Sequence, residues 1–213
     1  PSSVTPTGTV TFKDGATTLA TVPLLSPGWA NFVTSNLSLG THSITAVYSG
    51  DSNFLGSTSP PLSQTVSQGA TTTQLTSSKN PSMPGEWVSF DATVSTVAPS
   101  SVTPTGTVTF KDGATTLGTV PLLPPGWAYF VTSTLSLGTH SITAVYSGDS
   151  NFLGSTSAAV SQAVNQGATT TQLSSSKSPS GVGEWVSFDA TVSTVAPSSV
   201  TPTGTVTFKD GAT

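Results

Sequence analysis

The octapeptide Gly106-Thr-Val-Thr-Phe-Lys-Asp-Gly113 decides the fold. It reads as a strand that turns Val108 and Phe110 toward a core and runs into a hairpin turn, because Asp112-Gly113 supplies residues that tolerate positive φ. The same eight residues stand at Gly8 to Gly15 and at Gly204 to Gly211, and 106 − 8 and 204 − 106 both give 98. The chain is therefore a tandem array of fixed period, and Pro197 to Thr213 repeats Pro1 to Thr17 without a change. A unit of roughly 100 residues is long enough to bury one core.

A complete unit spans residues 68–166. Thr71-Thr-Thr-Gln-Leu75 is a β-branched run that ends in the turn-rich stretch Ser77 to Gly85. Glu86 to Ser95 alternates strictly, with Val88, Phe90, Ala92 and Val94 on the core face and Trp87, Ser89, Asp91 and Thr93 on the other. The Pro-rich joint Pro99 to Pro104 leads into the repeated octapeptide. Thr115 to Leu122 then returns as a short strand whose Pro121 suits a sheet edge, since proline cannot donate to a ladder. Gly126 to Leu135 is another strand. Gly138 to Tyr146 sets Ile142, Ala144 and Tyr146 on one face, and Phe152 to Val164 closes the unit. Seven short strands separated by Gly, Pro, Asn and Asp turns, with no helical periodicity, predict an all-β antiparallel sandwich. In chain order they are A, B, C, C′, E, F and G.

Three stretches carry a resemblance: Pro104 to Gly113, Leu135 to Phe152, and Ser161-Gln-Ala-Val164. Together they span the unit, which resembles a bacterial immunoglobulin-like (Ig-like) repeat domain of long surface proteins. The resemblance implies tandem Ig-like sandwiches and a role as spacer, stalk or adhesive repeat outside the cell rather than catalysis. The chain departs from that pattern at the start of strand B, where Trp87 and Trp185 replace a small or polar residue.

In this phase residues 1–67 hold strands C to G, and residues 167–213 hold strands A to C. The two ends are nearly complementary halves of one sandwich. Either the chain is a window on a longer continuous array, or neighbouring chains complete each other by strand exchange. The window is the simpler expectation, because joining the ends would supply strand C twice. Residues 1–98 differ from 99–196 at thirteen positions, mainly in turns, loops and outward strand positions, and the inward set of B, C, E and F is unchanged. The short joint Gln166-Gly-Ala168 implies that successive units stack semi-rigidly.

Only 7% of the residues are charged, the net charge is −4, and the five basic residues are all lysines. With no basic cluster, neither nucleic acid nor an anionic membrane surface is an expected partner. Cysteine is absent, so packing and strand pairing carry the stability. No run of 18 apolar residues exists and Pro1-Ser-Ser-Val does not open a signal peptide, so no membrane insertion is expected; a signal could lie upstream. His42 and His140, at the start of strand F, are expected to bond a loop rather than to catalyse. Gly148-Asp-Ser-Asn151 offers too few carboxylates for calcium and reads as a self-bonded turn. Lys79 and Lys111 are placed in turns, which argues against an isopeptide cross-link. Asn36-Leu-Ser38 is a glycosylation sequon by pattern, absent at its counterpart Thr134. No catalytic residue, metal site or cofactor is predicted.

The tryptophans remain. Trp87 points away from the core on B, and with Ala128 and Phe130 inward on E, Trp127, Tyr129 and Val131 point outward; Trp29 and Trp185 are the copies. B and E are neighbours in an Ig topology, which predicts one apolar patch. Two such rings burying ~150–250 Å² each at ~25 cal/mol per Å² contribute about 8–12 kcal/mol gross. Association itself costs ~4–15 kcal/mol, so one unit binds weakly and repetition supplies avidity. The expectation is a non-enzymatic extracellular or bacterial cell-surface repeat that self-associates into a homopolymeric filament. The alternative is an adhesin stalk or carbohydrate-binding module that stacks a glycan on tryptophan.

Overall fold

The computed structural model of the chain describes residues 4–98 and 102–211. The start of the joint predicted at Pro99 to Pro104, the N-terminal Pro1-Ser-Ser and the final Ala212-Thr213 lie outside the described residues. The described residues form strands and no helix, and the chain divides into two compact units, Pro1–Gln68 and Gly69–Thr213.

In the first unit, β1 (Thr9–Asp14), β2 (Thr17–Pro23), β3 (Gly40–Tyr48), β4 (Ser57–Thr58) and β5 (Leu62–Val66) make one antiparallel sheet. Its order is β2, β1, β3, β4, with β5 also on β3. Val10, Phe12, Ala46 and Tyr48 line an open groove of about 480 Å³ on its apolar face. Among the described residues of the unit, no second sheet lies over this one.

The second unit contains the complete sandwich. Hairpin strands β6 (Thr71–Ser77) and β7 (Val88–Thr96) are followed by β8 (Thr107–Asp112), β9 (Thr115–Pro121), β10 (Trp127–Thr132), β11 (Gly138–Tyr146), β12 (Ser155–Thr156) and β13 (Val160–Val164). One sheet runs β10, β7, β6; the other runs β12, β11, β8, β9, with β13 also on β11. These correspond to A, B and E facing C′, C, F and G. The predicted alternation holds: Val88, Phe90, Ala92 and Val94 of β7 pack with Val108 and Phe110 of β8, Ala128 of β10, and Ile142, Ala144 and Tyr146 of β11. Phe110 and Phe130 stack with ring centroids 5.8 Å apart. The predicted closing strand is divided into β12 and β13.

Beyond the sandwich, β14 (Thr169–Ser175) and β15 (Phe188–Thr194) form a hairpin. Ser198 Oγ and Ser199 Oγ donate to the carbonyls of Pro84 and Gly85, each at 3.0 Å, and tie this segment to the sandwich. A Cβ at Gly167 would stand 2.7 Å from the Cβ of Ser198, so the joint needs glycine there.

Three sequence expectations are corrected. The first copy of strand E, around Trp29 to Leu37, forms only an isolated bridge between Leu25 and Trp29. The third copy of the octapeptide, at 204–211, forms no strand. The cause is the same in both: E pairs with B, and C pairs with F and C′, and in each end segment those partners are missing. Lys111 sits in β8, beside the register shift between Phe110 and Lys111, rather than in a turn.

Candidate functional site

The register of β10 on β7 decides what the outward aromatics can do. Trp127 lies opposite Thr93, Tyr129 opposite Asp91 and Val131 opposite Ser89. Side chains at i, i+2 and i+4 share a face, so Trp127, Tyr129 and Val131 form one row, 62%, 57% and 44% exposed. Trp87, 69% exposed, lies just ahead of β7, beyond the Val131 end of the row. It is six residues from Thr93, or about 20 Å at ~3.3 Å per residue. The structure thus brings Trp127, Tyr129 and Val131 together and places Trp87 at the far end from Trp127, so the four form a line rather than a cluster. The copies are exposed as well. Trp29 precedes a segment with no strand, and Trp185 precedes β15.

Both histidines are held by hydrogen bonds to a loop and to the end of the neighbouring strand. His140 Nδ1 donates to Asp112 Oδ2 at 2.6 Å and Nε2 to the Ser136 carbonyl at 2.9 Å; His42 makes the same pair to Asp14 and Ser38, both at 2.7 Å. Both ring nitrogens face acceptors, and only an imidazolium donates from both. The Ser136 carbonyl and then Asp112 raise the His140 pKa, and Asp14 followed by the Ser38 carbonyl raise that of His42. The bond to His42 in turn lowers the Asp14 carboxyl. Each histidine ties the start of strand F to the end of strand C, and no nucleophile takes part in these bonds.

Asp149 is committed to its own turn. Its Oδ1 accepts from Asn151 N at 2.8 Å and Phe152 N at 2.9 Å, and its Oδ2 accepts from Thr105 N at 2.7 Å and Thr105 Oγ1 at 2.8 Å. Burial pushes this carboxyl up, but the bonds from Thr105, Asn151 and Phe152 together hold it below the ordinary value. The equivalent Asp51 is lowered to about 2, first by the Thr7 N–H and then by that of Asn53. Burial, then the Asp149 charge, pushes the Tyr146 hydroxyl up to about 12, and that hydroxyl donates to the Thr105 carbonyl at 2.6 Å.

Sequence reasoning missed the polar clamp that holds hairpin β6–β7 on the opposite sheet. Gln162 is fully buried: its Oε1 accepts from Ser77 Oγ at 2.6 Å, and its Nε2 donates to Ser82 Oγ at 3.2 Å. Thr73 Oγ1 and Ser155 Oγ share a hydrogen bond of 2.7 Å, and Thr71 Oγ1 donates to the Leu153 carbonyl at 2.8 Å. The signal was legible, because the alternation through Val160, Gln162 and Val164 puts Gln162 on the inward face.

Two-sheet sandwiches with an aromatic row outside and a polar clamp inside define a structural module. The chain belongs to the bacterial Ig-like domain (group 3) family, whose model matches residues 1–67 and 75–165. No curated protein matches the chain. Among solved structures it is similar to the fibronectin(III)-like modules of Clostridium thermocellum CbhA, at 19% identity over 78% of this chain and 82% of that one, with a TM-score of 0.36. Domains of the Ig-like type are typically non-catalytic and often extracellular. No helix among the described residues is long and apolar enough to cross a membrane.

Proposed function

We propose that the chain is a structural, non-catalytic extracellular repeat that assembles into a filament, with the row Trp127, Tyr129 and Val131 as its side-to-side contact. The supporting observation is that these three side chains stay substantially exposed on the outer face of the β10–β7–β6 sheet, while the inner face of the same strands is packed into a core. Exposed apolar rows of this kind mark interaction surfaces. Repetition of the unit allows weak contacts to add through avidity. Trp127→Ser combined with Tyr129→Ser should leave the sandwich folded and remove side-by-side bundles in electron micrographs; unchanged bundles contradict this reading.

A second reading, glycan binding on the same row, is favoured by the hydrogen-bonding groups beside the rings, since Thr93 and Asp91 stand opposite Trp127 and Tyr129. A glycan array with no signal dependent on Trp127 dismisses it.

A further inference from the structure

The outer face of the β10–β7–β6 sheet is built of two unlike strips. Trp127, Tyr129 and Val131 stand along β10, while Thr93 and Ser95 stand along β7 with Gln74 and Thr72 of β6 opposite them. Where the strips meet, at the Trp127 end, Thr93, Ser95, Thr96, Thr103, Pro125 and Trp127 line a groove of about 340 Å³. We propose that this groove seats a single neutral sugar ring, stacked on the Trp127 indole and hydrogen-bonded by the threonine and serine hydroxyls. The inference rests on the glycan reading above and deepens it: the seat lies at one end of the aromatic row, beside β7, and needs neither Tyr129 nor Trp87.

The platform is fixed before a ligand arrives. Leu123 N donates to the Trp127 carbonyl at 2.6 Å and Trp127 N donates to the Leu123 carbonyl at 2.7 Å, which closes a tight turn. On the other side Val94 N donates to the Gly126 carbonyl at 2.8 Å. Gly126 has a φ of 139° and approaches β7 so closely that a Cβ there would collide with the Val94 carbonyl oxygen. The backbone of Pro125 to Trp127 is thus drawn against β7 while the indole itself stays exposed. A tryptophan held in this way offers a flat apolar face with few bonds left to immobilise, so docking a ring on it spends little ordering entropy.

The hydroxyls beside the indole are unspent. Elsewhere on the outer faces they are paired: Thr109 Oγ1 and Thr119 Oγ1 share a hydrogen bond of 2.9 Å, and Ser89 Oγ donates to Asp91 Oδ1 at 3.1 Å. Among the described residues the side chains of Thr93, Ser95 and Thr103 have no such partner. A hydroxyl both donates and accepts, which matches the hydroxyls around the edge of a sugar, and the indole matches the C–H face of its ring. The volume lies at the small end of ligand sites, roughly 300–1,000 Å³, and suits one ring rather than a buried chain.

Charge selects a neutral ligand. Among the described residues no charged side chain lines the groove. Asp91, two residues along β7 and opposite Tyr129, puts a carboxylate on the same face. No lysine lines the groove to offset that charge, so a uronic or sialic acid meets repulsion without a compensating partner.

The indole N–H signals in proton–nitrogen correlation spectra of the whole chain test the seat. The chain has four tryptophans, and Trp127→Phe identifies the signal of Trp127. Titration with methyl glucoside, methyl galactoside and methyl mannoside should move that signal with at least one of them and leave that of Trp87 in place; glucuronate should move neither. Thr93→Val with Ser95→Ala, both exposed positions, should weaken the response roughly tenfold. Tyr129→Ser should leave it unchanged. A Trp127 signal that moves equally with glucuronate, or an affinity that survives the change at Thr93 and Ser95, overturns the proposal. A response abolished by Tyr129→Ser overturns the groove while keeping the glycan on the row, and four indole signals unmoved by every neutral sugar overturn both.

Discussion

Residues 9–66 and 107–164 share almost the same sequence and the same strand order, yet they differ in what they bury. In the complete sandwich Val108, Phe110 and Ile142 are fully enclosed and Trp127–Thr132 is a strand. In the first unit Phe12 and Ile44 are only half-buried, and the copy of that strand forms no ladder. The local chemistry is equal, so the difference comes from hairpin β6–β7, present over one sheet and absent from the other. Strand E is an instruction that only strand B can execute. Propensity alone does not carry it, as expected where strand preference reflects packing against neighbours.

The largest test of that contrast is the pair Phe110→Ala and Phe12→Ala. Phe110 is enclosed and stacked on Phe130, so its truncation should cost ~3–5 kcal/mol. Phe12, half-exposed although it also stacks on Phe32 at 5.9 Å, should cost about 1–2 kcal/mol in dilute solution. Urea unfolding of the two variants measures both values.

The next pair is Gly126→Ala and Gly28→Ala. Both glycines have positive φ, 139° and 124°, but a Cβ at Gly126 would meet the Val94 carbonyl oxygen at 2.3 Å, while one at Gly28 meets nothing within 4 Å. The first change should cost ~2–3 kcal/mol and the second only the backbone strain, about 1 kcal/mol. Equal shifts in thermal unfolding would show that Val94 does not matter.

Gln162→Ala leaves Ser77 and Ser82 without their buried partner and should cost ~1–3 kcal/mol. Gln64→Ala, at the equivalent but exposed position on β5, should be nearly silent in the same urea unfolding.

The smallest effect is pH dependence, and it should be shared by both units. His42 and His140 are raised above 6.5, so their contribution is fully present below that pH and is lost as pH rises through the folded value. Asp51 and Asp149 are lowered below 3.8, so theirs is present above it and fades as pH falls through the folded value. Stability from these groups should peak between about pH 4 and 6.5, and histidine-to-alanine variants should flatten only the alkaline side of a thermal-unfolding profile.

Much of this was legible because alternation reports faces. The residues Val88, Phe90, Ala92 and Val94 declared the core, and the spacing of three octapeptides declared the period. Alternation does not report position along a ladder, which is why Trp87 and Trp127 share a face but lie at opposite ends of it. Nor does a strand pattern report whether its partner is present, and the segments at 29–37 and 204–211 went unbuilt for that reason. Position 118, where Gly118 stands against Ala20 in the first copy, is one of the thirteen differences that does not face outward: a Cβ on Gly118 would stand 2.7 Å from the Phe130 ring, so the site faces the packed aromatic pair. Gln162 shows a further limit: its inward phase was readable, but the serines that satisfy it, at the end of β6 and in the turn after it, lie 85 and 80 residues earlier.

Hydrogen exchange on the dilute chain tests the central claim most directly, because both copies of strand E are in one molecule. The amides of 127–132 that bond β7 should be protected to near the global stability of the sandwich, and those of 29–34 should exchange like an open segment. Equal protection of the two copies in dilute solution would contradict the dependence of strand E on its hairpin.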